Sequence, residues 1–293
     1  MSKKEKKPLA LTTDNYYSDE ANRDYLSCSQ FEDFLTCEAA AVAKYEGRYT
    51  PEKSEAFIVG NYFHTYFEGP EAFGQFIAEN EDKILQKSGK KRAAFAKADE
   101  MIKAAEEDPF IKKLIDMPGE NEKIMTGKLF GRYPWKIRLD KYIPENPRLI
   151  IDWKTVADIN ETRWNDELHQ KASFVENFRY LFRAAVYIEI EKEWTGKETD
   201  PAFWLVCISK QDPPDKAVIA LNDQNRQRFD IELEKVRDKI FRIQNIKDGL
   251  TRPKRCGKCA YCRATKKIDS VMHYWELEPE NKPELKEDDG ADE

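Results

Sequence analysis

The chain reads as an α/β protein: a helical amino-terminal part, a mixed central sheet flanked by helices, and a cysteine-rich carboxyl-terminal segment. Three observations predict it. Apolar residues recur at helical spacing up to residue 116, three β-rich runs follow between 120 and 156, and a long helical stretch then precedes two further strands. Helices and strands in that order require a sheet whose faces the helices cover.

At 293 residues with 40% hydrophobic and 12% aromatic content, the chain can bury a full core. No apolar run approaches a membrane span, and the start "MSKKEKKPLAL" lacks the apolar stretch of a secretory signal, so a cytoplasmic protein is expected. The net charge of −6 is unevenly spread. Residues 276–293 hold nine acidic residues against two lysines and read as a disordered tail, whereas 247–267 hold eight basic residues and one acid. Such a basic stretch suits nucleic acid, and equally a solvated surface.

Taken in order, residues 1–15 read as a flexible basic arm, and 16–268 as one domain. Its parts are a helical region (16–116), a sheet core (120–221), and a helix with the cysteine cluster (222–268). "SCSQFEDFLTCEAAAVAKYEG" predicts one helix with Ser29 as N-cap, stopping at Gly47. "SEAFIVGNYFHTYFEG" predicts a second, with Ile58, Tyr62 and Phe63 on an apolar stripe. Residues 70–116 read as short helices broken near Gly89 and Pro109. "NEKIMTGKLFGRYPWKIRLDKYI" predicts a hairpin turning between Gly127 and Gly131, and "RLIIDWKTV" a third strand. "DELHQKASFVENFRYLFRAAVYIEIEKEW" reads as helix, its long second part amphipathic, before the strands "AFWLVCISK" and "KAVIAL" and a polar-faced final helix.

Within "KIRLDKYIPENPRLIIDWKT", residues i and i+2 of a strand share a face, so Asp152 and Lys154 project together. Antiparallel pairing through "PENP" brings Asp140 near Asp152. Two such carboxylates repel unless a cation lies between them, and aspartate oxygens suit Mg²⁺ or Mn²⁺. A divalent ion there polarises a phosphoryl oxygen and acidifies a water, while the ammonium stabilises developing negative charge. That is chemistry for breaking phosphodiesters. As bare spacing D-x-K also fits a cross-strand surface pair. His64, in a G-x-x-x-H pattern from Gly60, is a candidate imidazole ligand. Glu122 is a further oxygen ligand or a solvated loop glutamate.

The ordered set Gly60-x-x-x-His64, Asp140, Asp152-x-Lys154 resembles the PD-(D/E)XK nuclease superfamily. It is most similar to the RecB-like and phage RecE-type exonucleases, over residues 27–265. The resemblance implies a restriction-endonuclease-like core, with His64, Asp140, Asp152 and the Trp153 carbonyl binding Mg²⁺ and Lys154 assisting the water. It implies an exodeoxyribonuclease that leaves a 5′-phosphate and acts in DNA recombination in a bacterial or phage-infected cell. A single-strand annealing recombinase is the implied partner, and ring-like homo-oligomers the implied assembly. The family's Q-x-x-x-Y helix corresponds to "RYLFRAAVY", so Arg183 and Tyr187 are the substrate-binding candidates. Arginine there suits a phosphate fork or a helix-surface ion pair. Trp135, Trp164 and Tyr180 are candidates for base stacking or for the core. A non-catalytic nucleic-acid-binding module with a degenerate core, and a CRISPR-associated type of nuclease, are the alternative readings.

Cys256, Cys259 and Cys262 stand at C-x₂-C-x₂-C, a metal-ligand spacing. Structural zinc usually takes paired knuckles, whereas an unbroken run is closer to iron–sulfur ligation, which needs a fourth cysteine. The resemblance to AddB-like and CRISPR-associated nucleases implies a [4Fe–4S] cluster with Cys37 as that fourth ligand; Cys28 is the other choice, and zinc stays open. Cys207, inside "FWLVCISK", reads as a core thiol.

Overall fold

The structure, a computed structural model, describes residues 8–52, 54–145, 147–221, 226–268 and 270–274. The amino-terminal part runs α1 (Asp19–Asp24), α2 (Cys28–Thr36), α3 (Glu38–Tyr45), α4 (Glu55–Glu68), α5 (Pro70–Glu79), α6 (Glu81–Ile84), α7 (Ala93–Glu107) and α8 (Pro109–Asp116). Then come β1 (Glu120–Leu129), β2 (Tyr133–Ile143), β3 (Leu149–Val156), β4 (Thr162–Asn165) and β5 (Gln170–Ser173). The chain continues through α9 (Phe174–Asn177), α10 (Tyr180–Thr195), β6 (Ala202–Ser209), β7 (Lys216–Ala220), α11 (Arg226–Lys247) and α12 (Ala260–Ala264).

Five strands form one mixed sheet in the order β1-β2-β3-β6-β7. All neighbours are antiparallel except β3 and β6, whose parallel pairing needs a crossover, supplied by α10. Both faces are covered. On one, Trp135, Ile137, Ile150 and Leu205 pack with Ala184 and Ile188 of α10 and Val236 of α11. On the other, Ile151, Trp153 and Val206 meet Phe63 of α4 and Met101 of α7. Burial on both faces explains why "LIIDWKTV" is nearly continuous in apolar residues.

Local chemistry sets the boundaries. Ser54 caps α4 by accepting from the Phe57 amide, and Asp108 caps α8 with Pro109 in its first turn. The hairpin turn falls later than expected, at residues 130–132, where Phe130 and Gly131 both take positive φ (55° and 67°). Gly127 lies inside β1, and a Cβ there would sit 2.9 Å from Glu193 Cγ, so glycine lets α10 approach the sheet.

Four expectations are corrected. The helix expected from Ser29 to Gly47 is two helices: Ser27 is the N-cap, bonded to the Gln30 amide, and extended Cys37 (φ −164°, ψ 107°) divides α2 from α3. The helical stretch expected after residue 165 begins as the β4–β5 hairpin, whose polar residues are exposed and whose end Asn177 ties down through Nδ2 to Ala172 O at 2.8 Å. α10 is not amphipathic, because it is sandwiched between the sheet and α11 and buries residues around most of its circumference. The arm expected over 1–15 is docked where described: the Leu9 amide donates to Asp24 Oδ2 at 2.9 Å, and the Tyr25 hydroxyl donates to Leu9 O. Residues 1–7 and the acidic tail 276–293 lie outside the described residues.

Candidate active site

The β2–β3 ladder runs from Ile143↔Leu149 to Lys141↔Ile151 and goes no further. One step on, where Asp140 would face Asp152, the strands part. The Trp153 amide then donates to Asp140 Oδ2 at 2.9 Å, a side chain standing in for the ladder's carbonyl. Into this gap α4 brings His64, whose Nδ1 is 3.1 Å from Asp140 Oδ2. The placement of α4 is fixed by Phe67, whose ring stacks on Trp153 with centroids 4.6 Å apart.

From the other layer comes Lys154. Its Nζ touches Asp152 Oδ2, lies 4.0 Å from Asp140 Oδ2, and donates to the Trp153 carbonyl at 3.1 Å. Tyr180, at the start of α10, lies beside it with the ring centroid 5.7 Å from Nζ. All four polar candidates, His64, Asp140, Asp152 and Lys154, and the Trp153 carbonyl therefore meet at one place. Lys154 and Asp152 are buried, His64 and Asp140 partly so.

The electrostatics of this cluster are tightly linked. Burial works to neutralise Asp140, but the His64 and Lys154 charges and hydrogen bonds from His64 and the Trp153 amide hold its carboxyl well below the usual range. Burial likewise opposes the Lys154 charge, yet Asp152 and then Asp140 keep the ammonium above its ordinary value. Glu122 is no solvated loop residue. It sits in β1 at the position facing Asp140, between the Asn121↔Lys141 and Lys123↔Leu139 pairs, with φ 53° and its side chain against Arg138. Burial pushes its carboxyl up to about 8, with Arg138 opposing and Asp140, Glu68 and Asp152 adding to the rise. A non-glycine residue held at positive φ beside a reactive cluster is a common place for strain.

Among the described residues, two buried carboxylate oxygens, Asp152 Oδ2 and Glu122 Oε2, accept no hydrogen bond and are met by the charges of Lys154 and Arg138. Hard oxygens with charge but no hydrogen bond are what Mg²⁺ or Mn²⁺ takes, so this donor set fits a divalent ion. Glu68, one helical turn after His64, is a neighbour that the sequence reading missed; its signal was the i, i+4 spacing on α4.

Of the substrate-binding candidates, Arg183 borders an open cleft of about 430 Å³ next to Tyr180, also lined by Glu32, Leu35, Phe178 and Arg179. Its Nη2 reaches Glu32 Oε2 at 3.4 Å, a half-buried ion pair, while among the described residues its buried Nε–H finds no acceptor. Tyr187 does not line that cleft. It packs toward Phe203 (ring centroids 6.1 Å), and burial raises its hydroxyl pKa well above the ordinary value. Trp135 is wholly buried core, whereas Trp164 is exposed on β4.

The cysteines divide cleanly. The sulfurs of Cys37, Cys256, Cys259 and Cys262 all lie within 4.8 Å of one another. Cys28 is buried in the main core and Cys207 opposite Lys154 in the β3–β6 register, so Cys37 and not Cys28 completes the group. Among the described residues no helix is long and apolar enough to cross a membrane.

No curated protein matches the chain. The chain is similar to a protein from Eubacterium rectale described as a "Putative exonuclease", known from a crystal structure. Identity is 34%, coverage is 92% of this chain and 98% of that one, and the TM-score is 0.83. A second solved structure, SSO0001, overlaps 79% of this chain and 92% of its own at 14% identity, and its TM-score of 0.29 carries no weight. The profile of the family described as "PDDEXK-like domain of unknown function (DUF3799)" matches residues 27–265. With that profile over most of its length, and with this sheet order and this cluster at the parting of β2 and β3, the chain belongs to the PDDEXK-like family.

Proposed function

We propose that the chain is a Mg²⁺-dependent deoxyribonuclease and, more finely, an exonuclease. The observation that carries the reading is the convergence of His64, Asp140, Asp152 and Lys154 where β2 and β3 separate. Membership of the PDDEXK-like family and the description of the Eubacterium rectale relative point the same way.

In this reading Asp140, Asp152, His64 and the Trp153 carbonyl would hold the ion, with Glu122 the further oxygen within reach. When bound, Mg²⁺ supplies Lewis acidity toward a phosphoryl oxygen and lowers the pKa of a coordinated water. The chain's own residues do the rest. Lys154, held as an ammonium by the two aspartates, stabilises negative charge as it develops at the phosphorus and orients the attacking water. The stacked Phe67–Trp153 pair fixes the distance between the imidazole of α4 and the carboxylates of the sheet. Arg183 and Tyr180 border the cleft beside Lys154, where a guanidinium suits the phosphate backbone and an aromatic face suits an unpaired base.

Exonuclease action on linear duplexes for recombination, with an annealing recombinase as the partner that takes the exposed strand, is the finer part of the proposal. Incubation of linear and covalently closed circular duplexes with Mg²⁺ tests it, using the wild type and Lys154→Ala. Loss of linear DNA alone, abolished in the variant, is the expected result. Cutting of the circle would make the chain an endonuclease, and an inert wild type that still binds DNA would leave a binding module.

A further inference from the structure

The four cysteine sulfurs are too close together for the cluster that the sequence resemblance implies. In a [4Fe–4S] cube each thiolate sits on its own iron and radiates from a separate corner, so the sulfurs stand farther apart than they would around one shared atom. Here Cys37 Sγ and Cys262 Sγ are 3.6 Å apart, Cys256 Sγ and Cys262 Sγ 3.9 Å, and no pair exceeds 4.8 Å. A tetrahedron of metal–sulfur bonds of about 2.3 Å has edges of about 3.8 Å. We propose that Cys37, Cys256, Cys259 and Cys262 form a tetrathiolate centre for a single tetrahedral ion, zinc, which clasps the carboxyl-terminal segment to the junction of α2 and α3.

The surroundings are built for such a knuckle. Gly257 follows Cys256 at φ 76°, the left-handed turn that folds the chain back on its own sulfur. The Cys259 amide then donates to Cys256 Sγ at 3.3 Å and the Cys262 amide to Cys259 Sγ at 3.4 Å, contacts that favour thiolate over thiol. The fourth ligand comes from the extended residue that interrupts two helices, and this gives the break at Cys37 a reason. Protein contacts align the two segments without the ion. The Lys254 amide donates to Glu38 Oε2 at 2.6 Å, Arg242 pairs with Glu38, and the Ala39 amide donates to Lys254 O at 3.0 Å. A closed d¹⁰ site with four protein ligands has no open position for chemistry, so its role is to close a loop 225 residues long in sequence. Each thiol that binds gives up its proton to solvent, so loading weakens as pH falls.

The centre is independent of the nuclease reading and is tested without an activity assay. Full-length protein, purified anaerobically, is analysed for zinc, iron and acid-labile sulfide, and the ion is then exchanged for Co²⁺. Expected are one zinc per chain, no sulfide and no brown chromophore. The cobalt form should show strong thiolate-to-metal absorption with tetrahedral visible bands. Cys256→Ser, at an exposed position, loses the metal, while Cys28→Ser keeps it. Iron with sulfide in the ratio of a cube overturns the proposal. So does a wild type whose four thiols all react freely with a thiol reagent and which holds no metal. Both readings come from the wild-type chain, so a variant that fails to fold leaves the test intact.

Discussion

His64 Nδ1 lies 3.1 Å from Asp140 Oδ2, the contact that joins the α4 layer to the strand edge where β2 leaves β3. The same carboxylate oxygen accepts from the Trp153 amide at 2.9 Å, so Asp140 both ties down the strand opening and carries charge into the cluster. Asp140→Asn separates these roles, because an amide oxygen still accepts the Trp153 hydrogen bond but offers no anion. The expected outcome is near-native circular dichroism and urea midpoint, with Mg²⁺-dependent hydrolysis reduced by about 10²–10³-fold or more. Calorimetry should show weakened Mn²⁺ binding in parallel. A variant that retained full hydrolysis would remove Asp140 from the proposed metal set.

Lys154 is the positive charge that offsets the repulsion between buried Asp152 and partly buried Asp140. Removing it therefore has two separable consequences. In Lys154→Met hydrolysis should fall by about 10²–10³-fold, since charge stabilisation at the phosphorus is lost. Thermal stability in chelator should also fall, and added Mg²⁺ should restore more of it than it adds to the wild type, because the ion now relieves the carboxylate repulsion alone. Melting curves with EDTA and with saturating Mg²⁺ measure this directly. Equal metal-induced shifts in variant and wild type would show that the aspartates do not share the ion.

Much of this site was legible in the sequence, and the reasons for success and failure are physical. Asp152 and Lys154 could be paired from spacing alone, because strand period is strict and two charges in an otherwise apolar strand have few uses. Asp140 followed from antiparallel pairing through "PENP", whereas His64 was joined to the carboxylates only through a family resemblance, since no local pattern links a helix to a strand edge. Glu122 was misjudged. Its burial depends on the positive φ that turns it inward and on Arg138, neither of which the letters reveal. That Tyr187 packs toward Phe203 of β6 and not along the cleft beside Arg183 was hidden for the same kind of reason. The helix expected across Cys37 had correct propensity, and a tertiary contact with Cys262 overrode it.

Phe67 offers a test of how the fold positions the site. Its ring stacks on Trp153 at an interplanar angle of 17°, so it holds the helix bearing His64 against the strand bearing Asp152 and Lys154. Phe67→Ala opens a cavity and should cost about 3–5 kcal/mol in urea unfolding. Phe67→Leu keeps most of the volume and should cost roughly half as much or less. Activity should fall in both by more than the folded fraction accounts for, because a helix shift of about 1 Å moves His64 away from Asp140. Activity that tracked the folded fraction alone would mean that α4 only fills space.

Lys136 gives a prediction about pH that is separate from the reactive cluster. Its side chain is buried beneath Tyr16, donating to the Tyr16 carbonyl and to Asn22 Oδ1 at 2.8 Å, and burial lowers its pKa to about 8. In the unfolded chain the ammonium titrates near 10.4. Below about pH 8 both states are protonated and the cost of burying the charge is felt in full. Between about 8 and 10.4 the unfolded state holds a proton that the folded state has released, so stability rises with pH across that window. Lys136→Met has no such proton. Urea unfolding of both proteins from pH 7 to 10 should show the wild type gaining stability relative to the variant as pH rises, with the difference level below 8. A difference that stays flat to pH 10 would mean that the hydrogen bonds to Tyr16 and Asn22 fully compensate burial and keep Lys136 charged.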